Sequence, residues 1–207
     1  MTSFRYVDGE YTFETEIKHS RFIATVCGEV DESEALKFLA STRKKYSDAT
    51  HNCYAYIADM FGNTARFSDD GEPSGTAGQP MLEVLKRQGL AKTAVVVTRY
   101  FGGIKLGAGG LVGAYTGAVV GALNSVKIAE KTECRQIEIS TDYQKFSQIE
   151  GFIRKETYVE AIDYGDTVTA TIYVALNKVD SVVEELKART SGEATLSLKE
   201  TEYKKLV

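Results

Sequence analysis

The sequence has no tryptophan, only two prolines and only two histidines, and each scarcity excludes something. Two prolines leave no room for a Pro-rich linker or recognition tract. His51 and Cys53 lie two apart on a candidate strand face, but no further Cys or His lies near them in sequence. No zinc site is therefore spelled out, and no metal or cofactor is expected. Cys27, Cys53 and Cys134 are odd in number, widely spaced and free of a C-x-x-C pattern. A disulfide framework is not expected, in keeping with a reducing compartment. The opening MTSFRYVDGEYTF lacks the basic and then apolar order of a signal peptide. No run approaches the roughly 20 apolar residues of a membrane helix. The expectation is a cytoplasmic protein without a membrane partner. The chain also lacks an excess of positive charge: its net charge of −4 means that a nucleic-acid partner must be met by a local basic patch.

What is present is ordinary globular material, 43% hydrophobic and 26% charged, and 207 residues suffice for one large domain or two small ones. Residues 10–18 alternate polar and apolar as a half-buried strand does, and 20–30 read as its partner. DESEALKFLASTRKKY predicts a helix with acidic residues in its first turn and basic ones in its last, the order that complements the helix dipole. HNCYAYIAD and TARFSD predict strands joined by a turn at Phe61-Gly62-Asn63, with His51, Cys53, Ala55 and Ile57 on one face. A polar loop, DDGEPSGTAGQP, leads into a short helix in PMLEVLKRQ, and TAVVVTRYF reads as a buried strand. From Gly109 to about Val126 the chain predicts a mostly buried helix.

A second unit follows. RQIEIST, DYQKFSQIEGFIRKE, the hairpin AIDYGDTVTATIYVAL, NKVDSVVEELKART and EATLSLKETEY give strand, helix, strand, strand, helix, strand. That order is the ferredoxin-like βαββαβ arrangement. The fold class is α+β in two domains, residues 1–130 and 135–207, with the boundary in IAEKTECR, 128–135.

The densest glycine lies in RYFGGIKLGAGGLVGAY, 99–115, between the buried strand and the long helix. A Walker loop requires Gly-Lys followed by Ser or Thr, but Ala108 follows Gly107; the spacing of Gly107, Gly109 and Gly113 also misses the dinucleotide fingerprint. Gly113, Gly117 and Gly121 recur every fourth residue beside Ala114, Ala118 and Ala122, which reads as a close-packing stripe. Gly102, Gly103, Gly107, Gly109 and Gly110 instead sit in the loop and first turn, flanked by Arg99 and Lys105. Bare amides beside two cations can bind an anion; turn geometry with two solvated charges is the alternative. Asp69, Asp70 and Glu72 form an acidic cluster able to hold magnesium or move a proton, or equally a solvated turn or an internal salt-bridge network. With His51 they are candidate cleft-lining residues. No residue set is singled out as catalytic.

Four segments in order, KHSRF (18–22), HNCYAYI (51–57), DDGEPSGTAGQP (69–80) and RYFGGIKLGAGGLVGAY (99–115), resemble the IMPACT family, including its bacterial YigZ-like branch. The resemblance implies an N-terminal α/β sandwich similar to the second domain of ribosomal protein S-five, and a C-terminal ferredoxin-like domain similar to modules of elongation factor G. For eukaryotic members it implies regulation of translation, through an N-terminal domain that these residues do not include. For bacterial members it implies association with RNA, the ribosome or proteins of the translation machinery, without a settled catalytic activity. The fold also serves small-molecule kinases, whose phosphate loop carries serines that this segment lacks. An enzyme acting on a small phosphorylated ligand is the rival reading.

Overall fold

The computed structural model describes residues 3–206, which divide into two compact units, Ser3–Glu130 and Lys131 onward. The first unit opens with a strand the sequence pattern does not announce, β1 (Ser3–Val7), whose Tyr6 and Val7 are fully buried. Then come β2 (Glu10–Ile17), β3 (Ser20–Gly28), α1 (Glu32–Lys45), β4 (His51–Ile57), β5 (Ala65–Ser68), α2 (Gly78–Arg87), β6 (Thr93–Tyr100) and α3 (Gly107–Asn124). Asp31 starts α1 through a reciprocal capping box: its carboxylate accepts the Glu34 N–H, and the Glu34 carboxylate accepts the Asp31 N–H.

Strands β2, β3, β6, β4 and β5 form one antiparallel sheet in that order. Helices α2 and α3 cover one face, where Val95 and Val97 of β6 join Cys53, Ala55, Met81, Leu85, Ala114, Tyr115 and Ala118 in the core. Helix α1 covers the other, where Ala94 and Val96 meet Phe38 and Leu39. With a layer on each side, both alternating rows of β6 must be apolar, which is why the run shows no polar alternation.

The second unit takes in β7 (Ile128–Thr141) from Lys131 onward, α4 (Tyr143–Glu156), β8 (Tyr158–Tyr164), β9 (Val168–Ala175), α5 (Val179–Arg189) and β10 (Thr195–Lys204). Its antiparallel strands run β10, β7, β9, β8, the ferredoxin-like order, and α4 and α5 bury Ile149, Ile153, Val182 and Leu186 against Ile137, Ile139, Ala170 and Ile172. The segment 128–135 forms the first half of β7. Thr132–Arg135 pair with Thr201–Lys204, so the charges ride on a ladder whose backbone groups are satisfied. No helix among the described residues is long and apolar enough to cross a membrane.

The glycine stripe of α3 does not behave as one packing row. A Cβ on Gly121 would press into the Phe13 ring, whereas Gly113 and Gly117 face open space. At 3.6 residues per turn each step of four rotates about 40° around the axis, so only the last of the three has swung toward the sheet. Ala114, Ala118 and Ala122 make the close contact. Gly117→Ala should therefore raise stability, by about 1 kcal/mol from helix propensity alone. Gly28→Ala, whose Cβ would meet the Val7 carbonyl oxygen, should lower it by about 3 kcal/mol, since backbone rather than a side-chain tip has to move. Urea midpoints of the two variants against the parent chain measure both.

Candidate anion cleft at the start of helix α3

Strand register assembles the site. Arg99 on β6 lies directly opposite Phe22 on β3 and His51 on β4, so the three side chains share the sheet face that α3 covers. The guanidinium sits over the Phe22 ring at 5.4 Å and the Phe101 ring at 5.3 Å. Its Nη1 donates to Glu72 Oε1 at 2.7 Å and its Nη2 to Ser20 Oγ at 3.3 Å. Both charged side chains are almost wholly buried, 6% exposed for Arg99 and 3% for Glu72. Tyr115 of α3 adds a second donor to Glu72 Oε1, its hydroxyl at 2.7 Å, and packs edge-on to Phe22. Burial first, and then the neighbouring Cys53 and Glu72, hold the Tyr115 hydroxyl firmly protonated.

The acidic loop is spent on architecture. The Asp69 carboxylate accepts the N–H groups of Gly75, Ala77 and Gly78, so it caps α2 from eight residues upstream of Ala77. The Asp70 carboxylate accepts the Asn52 N–H and pairs with Arg43. His51 Nδ1 donates to the Asp70 carbonyl at 2.8 Å, which leaves Nε2 toward Glu72 Oε2 at 3.9 Å. Of the alternatives open in the sequence, the internal network describes this loop. Among the described residues no group of three or more His, Cys, Asp or Glu is arranged to hold a metal ion. Cys53 donates to the Asp69 carbonyl and approaches the Tyr115 hydroxyl; burial pushes its thiol up to about 12.

Above the buried pair lies a cavity of about 350 Å³ lined by Glu72, Pro73, Arg99, Phe101, Lys105, Leu106, Gly107, Ala108 and Leu111. Two features make its upper rim electropositive. Leu106 at the cap of α3 supplies no side-chain acceptor and the first turn has no acidic residue, so the Gly107, Ala108, Gly109 and Gly110 amides carry the positive end of the helix dipole unopposed. Lys105 is exposed and forms no ion pair among the described residues. Gly103 and Gly107 have φ of +85° and +74°, the left-handed backbone that lets the loop turn into the helix. Gly102 plays another part: its amide donates to Ser20 Oγ, and a Cβ there would strike the His19 carbonyl.

The structure thus brings Arg99, Lys105, Gly107 and Glu72 to one cavity, sets His51 behind Glu72, and turns Asp69 and Asp70 into the loop. Sequence reasoning missed Ser20, Phe22, Phe101 and Tyr115. Tyr115 carried a readable signal, since a hydroxyl on the apolar face of a buried helix must find an acceptor.

An α/β sandwich with an open cleft at one helix start, followed by a ferredoxin-like unit, is the architecture of the chain. The chain belongs to the IMPACT family. The model of the Impact N-terminal domain matches residues 18–123, and that of a Domain of unknown function (DUF1949) matches 139–193. The chain is 40% identical over 191 residues to IMPACT family member YvyE of Bacillus subtilis, covering 92% of this chain and 88% of that one. It is 43% identical over 141 residues to IMPACT family member YigZ of Escherichia coli, covering 67% and 69%. A solved structure described as a hypothetical protein superposes with a TM-score of 0.63 at 34% identity, covering 97% of this chain and 98% of that one.

Removing one partner of the buried pair should be far worse than removing both. Arg99→Met alone should cost about 3–5 kcal/mol, because the Glu72 carboxyl is left buried without its partner. Adding Glu72→Gln should recover a large part of that loss, read as a coupling energy in a denaturation double-mutant cycle. Cys53 should resist iodoacetamide at about pH 8, near the ordinary thiol pKa, and label only after unfolding. Peptide mass spectrometry checks this.

Proposed function

We propose that this chain is a non-enzymatic binding protein that engages RNA, alone or on the ribosome with its proteins, and modulates translation in the cytoplasm. The observation that carries the reading is the pairing of an unopposed helix start with an unpaired lysine at the mouth of the cleft. Backbone amides and an ammonium are the donors that phosphodiesters take, and on a molecule of net charge −4 they concentrate positive potential locally. Lys105, Gly107, Gly109 and Gly110 are the phosphate contacts in this reading. Arg99 contributes from below, its charge already shared with Glu72. The groups that chemistry would need are otherwise engaged, since Cys53 is held as a thiol and Glu72 accepts from both Arg99 and Tyr115.

The rival reading, an enzyme acting on a small phosphorylated ligand, draws on the size of the cavity. A thermal-shift screen of phosphorylated metabolites separates the two, because a tight ligand in large excess raises the melting temperature.

The full chain should co-sediment with ribosomes or bind single-stranded RNA at moderate salt. Lys105→Ala should weaken that binding and flatten the slope of log K against log salt by roughly 0.7, the share of one phosphate contact on a single strand. Absence of binding to RNA and to ribosomes, or an unchanged slope, would sink the assignment.

A further inference from the structure

Resting on the RNA reading above, we propose that the cavity at the α3 start receives one unstacked nucleotide of single-stranded RNA, its base inside and its phosphate at the rim. Four observations converge. The first is an orphan donor. Arg99 lines the cavity, its side chain is 94% buried as the complement of its 6% exposure, and its Nε finds no acceptor. A buried unsatisfied N–H is costly and rare; this nitrogen is shielded from solvent in the structure, so a polar ligand edge supplies its acceptor only by shifting the lining around it.

The second is the wall chemistry. Phe101, 47% exposed, stands at the cavity beside Leu106, Leu111 and Pro73. An exposed aromatic face beside cations is what an unpaired base stacks on, whatever its identity. A paired base inside a duplex has neither face free for it.

The third is size. About 350 Å³ lies at the low end of small-molecule pockets, roughly 300–1,000 Å³, which suits one nucleotide unit and not a stack of several. The fourth is the approach. Gly109, Gly113 and Gly117 line the outer side of α3 with open space where side chains would stand. Nothing within the described chain uses that bareness, and glycine weakens a helix. A sugar-phosphate backbone leaving the cavity can lie directly against it.

Fluorescence anisotropy of the full chain with four labelled probes tests this: a single-stranded RNA, the same strand as a duplex, the same strand with abasic sugars, and a mononucleotide. The single strand should bind about tenfold more tightly than the duplex or the abasic strand, the weight of one base–aromatic stack. Phe101→Ala should erase that preference, while Lys105→Ala should weaken all three strands alike. Equal binding of the intact, duplex and abasic strands overturns the nucleotide pocket while leaving RNA association standing. Binding of the mononucleotide as tightly as the strand overturns it in favour of a metabolite site. Failure of every strand to bind removes both this inference and the reading beneath it. The abasic comparison uses the parent protein, so the outcome holds even if a variant misfolds.

Discussion

Taking a guanidinium out of water is unfavourable unless its charge and its donors are met, and the site is organised around how Arg99 meets this demand. Glu72 supplies the counter-charge from a loop that would otherwise be free to stray, and Tyr115 supplies a neutral donor from the helix across the core. Each partner comes from a different element, so one buried pair ties the end of β6, the acidic loop and the middle of α3 together. The aromatic rings of Phe22 and Phe101 complete the enclosure. Such a pair adds little net stability over an apolar replacement, but it fixes which loop sits where.

That fixing explains why the acidic loop is so heavily hydrogen-bonded. Asp69 closes the loop onto the start of α2, Asp70 anchors it to β4, and Glu72 is delivered to Arg99 as a result. The helix start opposite is left without a counter-charge. The acidic loop therefore sits beside the helix start with Asp70 and Glu72 each paired to an arginine and Asp69 turned onto the α2 amides. In the second unit two cations of the sheet sit beside carboxylates: Lys204 meets Glu160 and Lys199 lies near Glu138.

Much of the fold could be read from the chain. The unbroken apolar run at 93–98, the charge order along α1 and the alternation of strand, helix, strand, strand, helix, strand each correspond to elements in the structure. Three features could not. β1 is five residues long with no clean alternation, and the first half of β7 is charged because its satisfaction comes from a distant strand. The stripe of α3 glycines looked uniform because sequence spacing hides a slow rotation. At the site, Arg99 and Lys105 read alike as cations beside glycines. Only cross-strand register, which places Phe22 and His51 against Arg99, distinguishes the buried cation from the solvated one. The nearness of Glu72 depends on the fold of a nine-residue path from Asp69 to Ala77 that local propensity does not specify.

The outward bareness of α3 has a dynamic consequence. Its first two turns are held to the body of the protein along one edge only, by Leu111, Ala114 and Tyr115, while the opposite edge offers the backbone no side-chain shelter from water. Glycine-rich turns of this kind open locally at small free-energy cost. The end of the helix that faces the cleft should thus open more readily than its buried middle, and whatever settles there would act as a splint, slowing amide exchange in those turns.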